Sequence, residues 1–181
     1  MKLNNKGVTL IELIVTMAVL SIVTIAIQGF IRTSVKINAN VIPNVKLQYE
    51  SQIVMANVQK RLINANKSVF FENGKLLMIS EDDNEEEVVS LFVFNATDNT
   101  LYYGESTVQA GEVTVYKLAE YITDFTIEFV ENVDDEVTKV TQADVILKMD
   151  RNGKEYEGEI SVSLRNKPTI DNRSIGYSIE R

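Results

Sequence analysis

Few residues in this sequence could carry chemistry, and one is conspicuous for its surroundings. From Val8 to Ile31 run 24 residues with a single ionisable side chain, Glu12. A carboxylate in a membrane helix costs about 2.5–3.5 kcal/mol on translocon scales, so such a residue needs a partner. Gly7 directly precedes the run, and Lys2 and Lys6 lie before it. The chain has no Cys and no His. A thiol nucleophile, a disulfide framework, a Cys/His zinc site and a Ser-His-Asp triad are therefore all impossible within it. What remains is ubiquitous carboxylates, Ser and Lys, with no base and nucleophile pair among them, so no enzyme is expected.

The balance of charge narrows the partners. Of 181 residues, 18 are basic and 26 acidic, a formal charge of −8, and there is no Lys/Arg run to meet a phosphate backbone. No direct nucleic-acid partner and no small-molecule substrate are expected. Two acidic clusters, Glu81–Glu87 and Glu131 with Asp134-Asp135-Glu136, lack the Gly and the alternating ligand spacing of a calcium loop. They read as solvated loops, with no metal and no cofactor.

The element that must position Glu12 is a helix. At about 1.5 Å per residue, Val8–Ile31 extends roughly 36 Å, enough to cross a hydrocarbon core of about 30 Å. No Pro interrupts it, and Lys2 and Lys6 give a positive cytoplasmic flank, so the amino terminus is expected inside and the bulk of the chain outside. A cleaved secretory signal fits poorly: the run is too long, and the nearest small-x-small triplet, Thr24-Ile25-Ala26, lies within it. A plain signal anchor leaves Glu12 unexplained.

The stretch Lys6-Gly7-Val8-Thr9-Leu10-Ile11-Glu12-Leu13-Ile14-Val15 resembles the class III signal of type IV prepilins and pseudopilins. The resemblance implies that a prepilin peptidase cuts between Gly7 and Val8, and that Val8 becomes the methylated amino terminus. Lys6, Thr9, Leu10, Ile11 and Leu13 match the signal motif around the cut; Val8 departs from the usual Phe or Met. Glu12 becomes the fifth mature residue, and the family's assembly logic pairs it with the terminal amine of a neighbouring subunit. In a low dielectric, that opposite charge favours both ionised forms. The cut also removes Lys2 and Lys6, taking the mature formal charge from −8 to −10. Further implied partners are other pilin or pseudopilin subunits, an inner-membrane assembly platform and membrane lipid.

Beyond Arg32 the apolar pattern becomes one-sided, with Leu47, Val54, Val58 and Leu62 at spacings of seven, four and four. That predicts an amphipathic helix continuing to about Asn66, kinked or interrupted at Pro43. From about Lys75 the period changes to two. Phe125-Ile127-Phe129, Val145-Leu147-Met149 and Ile160-Val162-Leu164 read as half-buried strands, and Leu76–Ser80, Val88–Phe94, Leu101–Tyr103 and Val113–Leu118 are further candidates. Asn152-Gly153 signals a tight hairpin between the last two alternating runs.

The expected fold class is α+β: a long helix, spanning in its first half and amphipathic in its second, packed on an antiparallel sheet. The division is a leader at 1–7, a span at 8–31, an amphipathic continuation at 32–70 and an extracytoplasmic β-domain at 71–181. The segment from Leu118 to Ile127, then Val145-Ile146-Leu147, then Leu164-Arg165-Asn166 is similar to the carboxy-terminal half of PilW-like minor pilins and J-type pseudopilins. Together the two resemblances imply a minor pilin of a type IV pilus or its tip and initiation complex. The alternatives are a pseudopilin of a type II secretion or competence machine and, from a different class, a signal-anchored surface adhesin. The location is a single-pass cytoplasmic membrane protein that reaches the cell surface on assembly.

Overall fold

The computed structural model describes residues 9–81, 84–107, 111–134, 137–171 and 175–180. One helix, α1 (Leu10–Asn64), is followed by ten strands: β1 (Ser68–Glu72), β2 (Lys75–Glu81), β3 (Glu87–Asn95), β4 (Thr100–Thr107), β5 (Glu112–Ala119), β6 (Ile122–Asp134), β7 (Val137–Arg151), β8 (Lys154–Ser163), β9 (Thr169–Ile170) and β10 (Gly176–Ile179). This is the expected α+β order, a long amino-terminal helix and then an antiparallel-rich sheet. The chain forms two compact units, Met1–Pro43 and Asn44–Arg181. Helical structure is assigned through Pro43, and the unit boundary falls at that residue.

In the first unit, Leu10–Asn38 is a 29-residue apolar stretch of which nothing is buried by protein. Leu10, Ile22 and Phe30 are all more than two-thirds exposed. An apolar helix bare on every face has to be covered by something other than its own chain.

In the second unit, Leu47, Val54, Val58 and Leu62 are fully buried, as their spacing predicts, and Met55 joins them. They meet alternate residues of the sheet: Leu76 and Met78 of β2, Phe92 of β3, Phe125 and Ile127 of β6, and Val145 and Leu147 of β7. Each such large apolar side chain contributes roughly 1.5–3 kcal/mol when fully buried. The helix ends at Asn64, near the expected end at about Asn66, and β1 occupies Ser68–Glu72, within the segment divided off as 32–70. Val69-Phe70-Phe71 is a β-branched and aromatic run that suits a pleated surface better than a helical turn.

The strands order as β10-β5-β4-β3-β2-β1-β9-β7-β6, with β8 also on β7. Neighbours are antiparallel except β1 with β9 and β5 with β10. The seven expected strands are present, and β1, β9 and β10 are additional. A second core explains why β2 and β3 are apolar without alternation. While Leu76, Met78 and Phe92 face the helix, Leu77, Ile79, Val89, Leu91 and Val93 point the other way and pack under Val113 and Val115 of β5. Ile175 and Tyr177, beside and within β10, pack against the same cluster. Strands covered on both faces need apolar residues at every position.

For β5 to cover that face it must cross β4, and the crossing falls on Gly104. Gly104 lies opposite Leu91, which lies opposite Leu77, so all three share the covered face. A Cβ on Gly104 would collide with the Thr114 carbonyl and with Val113.

Two Asn-Gly turns close hairpins in the conformation that needs two residues at positive φ. Asn152 and Gly153 (φ 56° and 74°) join β7 to β8 as expected, with the Gly153 amide donating to Asp150 Oδ1 at 2.9 Å. Asn73 and Gly74 (φ 51° and 75°) join β1 to β2 in the same way.

The end of the helix is clamped to β4. Arg61 reaches Glu105 through both guanidinium nitrogens, at 2.7 and 3.1 Å, and lies 5.5 Å from the Tyr103 ring centre. The Tyr103 hydroxyl donates to Glu105 Oε2 at 2.8 Å. Burial first, and then that bond to a carboxylate, push the phenol up to about 12 from its ordinary 10.0. Between those values the folded chain keeps a proton that the unfolded chain has lost. The clamp's contribution is therefore complete below about pH 10 and disappears as pH rises to about 12. Urea midpoints measured from pH 9 to pH 12 are expected to fall more steeply for the native chain than for Tyr103→Phe; parallel curves would show that this phenol does not couple to folding.

Candidate processing and assembly site

The site begins with the first turn of α1. Thr9 precedes the helix and Glu12 is its third residue, the spacing at which a side chain on each side of the helix start can satisfy the other's backbone amide. Both halves are present. The Glu12 amide donates to Thr9 Oγ1 at 3.4 Å, and the Thr9 amide donates to Glu12 Oε2 at 2.9 Å. The Thr9 hydroxyl also donates to the same Oε2 at 2.9 Å. The Leu13 amide then makes the first full helical bond, to the Thr9 carbonyl at 3.2 Å.

Three consequences follow from this reciprocal cap. It satisfies amide groups that any helix start leaves without intrahelical partners. It places a negative charge at the positive end of the helix dipole. It also turns the carboxylate back toward the amino end of the chain, away from the middle of the span. Thr9 and Glu12 are thus brought together, while Leu10, Ile11 and Leu13 are exposed apolar residues that join no core. Lys6, Gly7 and Val8 lie outside the described residues. Thr-x-x-Glu ahead of an apolar run is the signature of such a cap, a signal the reading of these residues as a processing motif passes over.

The rest of the span treats its polar groups as a membrane helix must. Thr16 donates to the Leu13 carbonyl at 2.9 Å, Ser21 to Met17 and Thr24 to Leu20 at 2.8 Å, and Thr33 to Gly29 at 3.0 Å. Hydroxyls that return to their own helix's carbonyls need no water. At the far end, Arg32 and Lys36 stand exposed four residues apart.

Loss of the cap has a measurable signature. Replacing a capping hydroxyl costs typically about 1 kcal/mol. In Thr9→Val the amide of Leu13 is expected to exchange its hydrogen roughly five times faster than in the native chain, by that same amount. Thr9→Ser, which keeps the hydroxyl, is expected to restore protection. Equal exchange in Thr9→Val and the native chain in detergent would show that the cap does not hold the helix start.

Residues 2–27 match the family model described as the prokaryotic N-terminal methylation motif. No curated protein and no solved structure matches the chain. The match contains Gly7, Val8, Thr9 and Glu12 and ends inside the apolar span. Together with the bare helix behind it, this motif supports a type IV prepilin- or pseudopilin-like chain: a membrane-anchored structural subunit, processed by prepilin peptidase and associating with other pilin subunits.

Proposed function

We propose that this chain is a minor pilin of the PilW-like kind, cut between Gly7 and Val8 and methylated on Val8. In this reading residues 8–31 hold the subunit in the cytoplasmic membrane, amino terminus inside, until it enters a type IV pilus or its tip and initiation complex. Residues 71–181 then supply the specific contacts to neighbouring subunits. One observation carries the reading: Glu12, the lone acid of the span, has its carboxylate drawn toward the amino end by Thr9. That is the end of the span where a cut after Gly7 leaves a new amine, and where the carboxylate of an incoming subunit would meet the terminal amine of its neighbour.

The chemistry of the pair decides what the residue does. In a medium of low dielectric an ammonium and a carboxylate each favour the other's charged form, and removing one leaves the other uncompensated. Glu12 therefore acts as a register element, since only one axial offset between helices brings its carboxylate to a neighbour's terminal amine. The second unit, in this reading, contributes specificity and no catalysis.

Two experiments test the reading. Amino-terminal sequencing of the protein is expected to find a start at Val8 only from cells with prepilin peptidase; a start after Ala26 would overturn the proposal. Glu12→Val is expected to leave membrane insertion intact and to abolish recovery of the subunit in sheared filaments. A variant that still assembles would point to a surface-anchored binding protein instead.

A further inference from the structure

We propose that the span pairs in parallel and in register with the span of a second copy of this chain, along one seam of α1, with the Gln28 carboxamides of the two copies bonded to each other across it. The inference rests on the helix crossing a bilayer, and not on cleavage or on entry into a filament. The seam is written in the spacing. Leu10, Ile14, Met17, Ser21, Thr24 and Gln28 follow one another at intervals of four and three, a strict seven-residue repeat, and Ile31 and Val35 continue it. Two helices that wrap left-handed about each other keep such a repeat facing the partner along its whole length. All of these residues are exposed. Between Leu13 and Ile31 the uncharged polar side chains are Thr16, Ser21, Thr24 and Gln28, and three of the four fall on the seam.

Shape and hydrogen bonding name the occupant. A shallow hollow on this face is lined by Met17, Leu20, Ser21 and Thr24, with Ile25 at its rim. The first four stand at i, i+3, i+4 and i+7, the diamond into which a facing helix inserts a side chain, and the small Ser21 and Thr24 let a second backbone come close. Their hydroxyls return to the carbonyls of Met17 and Leu20 at 2.8 Å. A Gln carboxamide carries two donors and an acceptor, and among the described residues Gln28 makes no hydrogen bond within its own chain. It lies about 13 Å from the middle of the apolar run, inside a half-thickness of about 15 Å, where lipid tails offer neither donor nor acceptor. Copies of one sequence insert the same way round, so a parallel neighbour in register presents the same carboxamide at the same depth, and each donates to the other. Glu12 is two residues from both Leu10 and Ile14, about half a turn from each, so the seam leaves its carboxylate on the opposite face.

The chain has no Cys, so a single Cys placed in the span reports its own contacts. In oxidant-treated membranes of cells lacking prepilin peptidase, Ile14→Cys, Met17→Cys and Thr24→Cys are each expected to give a disulfide-linked product of twice the 20.4 kDa of the chain. Val15→Cys, Val19→Cys and Ala26→Cys, on the other side of the helix, are expected to stay monomeric. Energy transfer between fluorophore-labelled copies of the full chain, followed as phosphatidylcholine vesicles are diluted with lipid, measures the strength of pairing. Gln28→Leu is expected to weaken it roughly threefold to thirtyfold, and Thr16→Val, a polar residue off the seam, to leave it unchanged. Cross-linking spread evenly around the helix, a product confined to another face, or none at twice the chain mass would overturn the proposal, as would a Gln28→Leu chain that pairs as strongly as the native one. The cross-linked chain is uncleaved and outside any filament, so this proposal and the pilin reading fail separately.

Discussion

A carboxylate on an apolar helix is tolerated only where something satisfies it, and that constraint organises the amino-terminal unit. Moving Glu12 about two turns along α1, to the region of Leu20, would strand it at the centre of the span, at a cost of about 2.5–3.5 kcal/mol. At the third helical position it is close enough to the start of the helix to bond the Thr9 amide and hydroxyl. In the proposed reading, the same geometry leaves the charge near the amine that a cut after Gly7 would create. One residue thus serves as helix cap within the chain and, in the reading proposed above, as a counter-charge for a neighbour, and the two roles place the same demand on its position.

The second unit solves a different burial problem. Its helix has one apolar face, and the sheet supplies the cover. The sheet's own far face is apolar across β2 and β3, and an antiparallel sheet with a wet outer face would not need Leu77, Ile79, Leu91 and Val93 there. The carboxy-terminal part of the chain closes that face through β5 and the parallel strand β10. Gly104 is the cost of the arrangement in sequence terms, because the covering strand crosses at a place where no side chain fits.

Much of this was legible in the residues. Periodicity identified the helix and seven strands, Asn152-Gly153 announced its hairpin, and the lone acid in an apolar run pointed to the site. Three features were present in the sequence but needed a different rule to see. Thr9-x-x-Glu12 is a capping box, which reads as part of a processing motif unless the helix start is placed at Leu10. Asn73-Gly74 is the same turn signal as the later hairpin, but it falls ahead of Lys75, where the strand pattern was expected to begin. The unbroken apolar run Leu76–Ile79 is a double-sided strand, distinguishable from a single-sided one only by its lack of alternation. The short β9 and β10 carry no local signal. Two and four residues long, they exist because β1, β7 and β5 offer them hydrogen-bonding edges.

Charge follows the same division as burial. Before Asn44 there are four basic residues and one acid, a balance of +3; from Asn44 on there are fourteen basic residues and twenty-five acids, a balance of −11. Two of the four amino-terminal cations, Lys2 and Lys6, lie ahead of Gly7, so a cut there removes the side-chain charges that flank the span on one side while Arg32 and Lys36 persist on the other. Orientation by positive flanks depends on that difference while the chain inserts. The flanks carry two lysines against one arginine and one lysine. In the reading proposed above, the two lysines add to the positive charge ahead of the span while the chain inserts, and the cut after Gly7 takes them away.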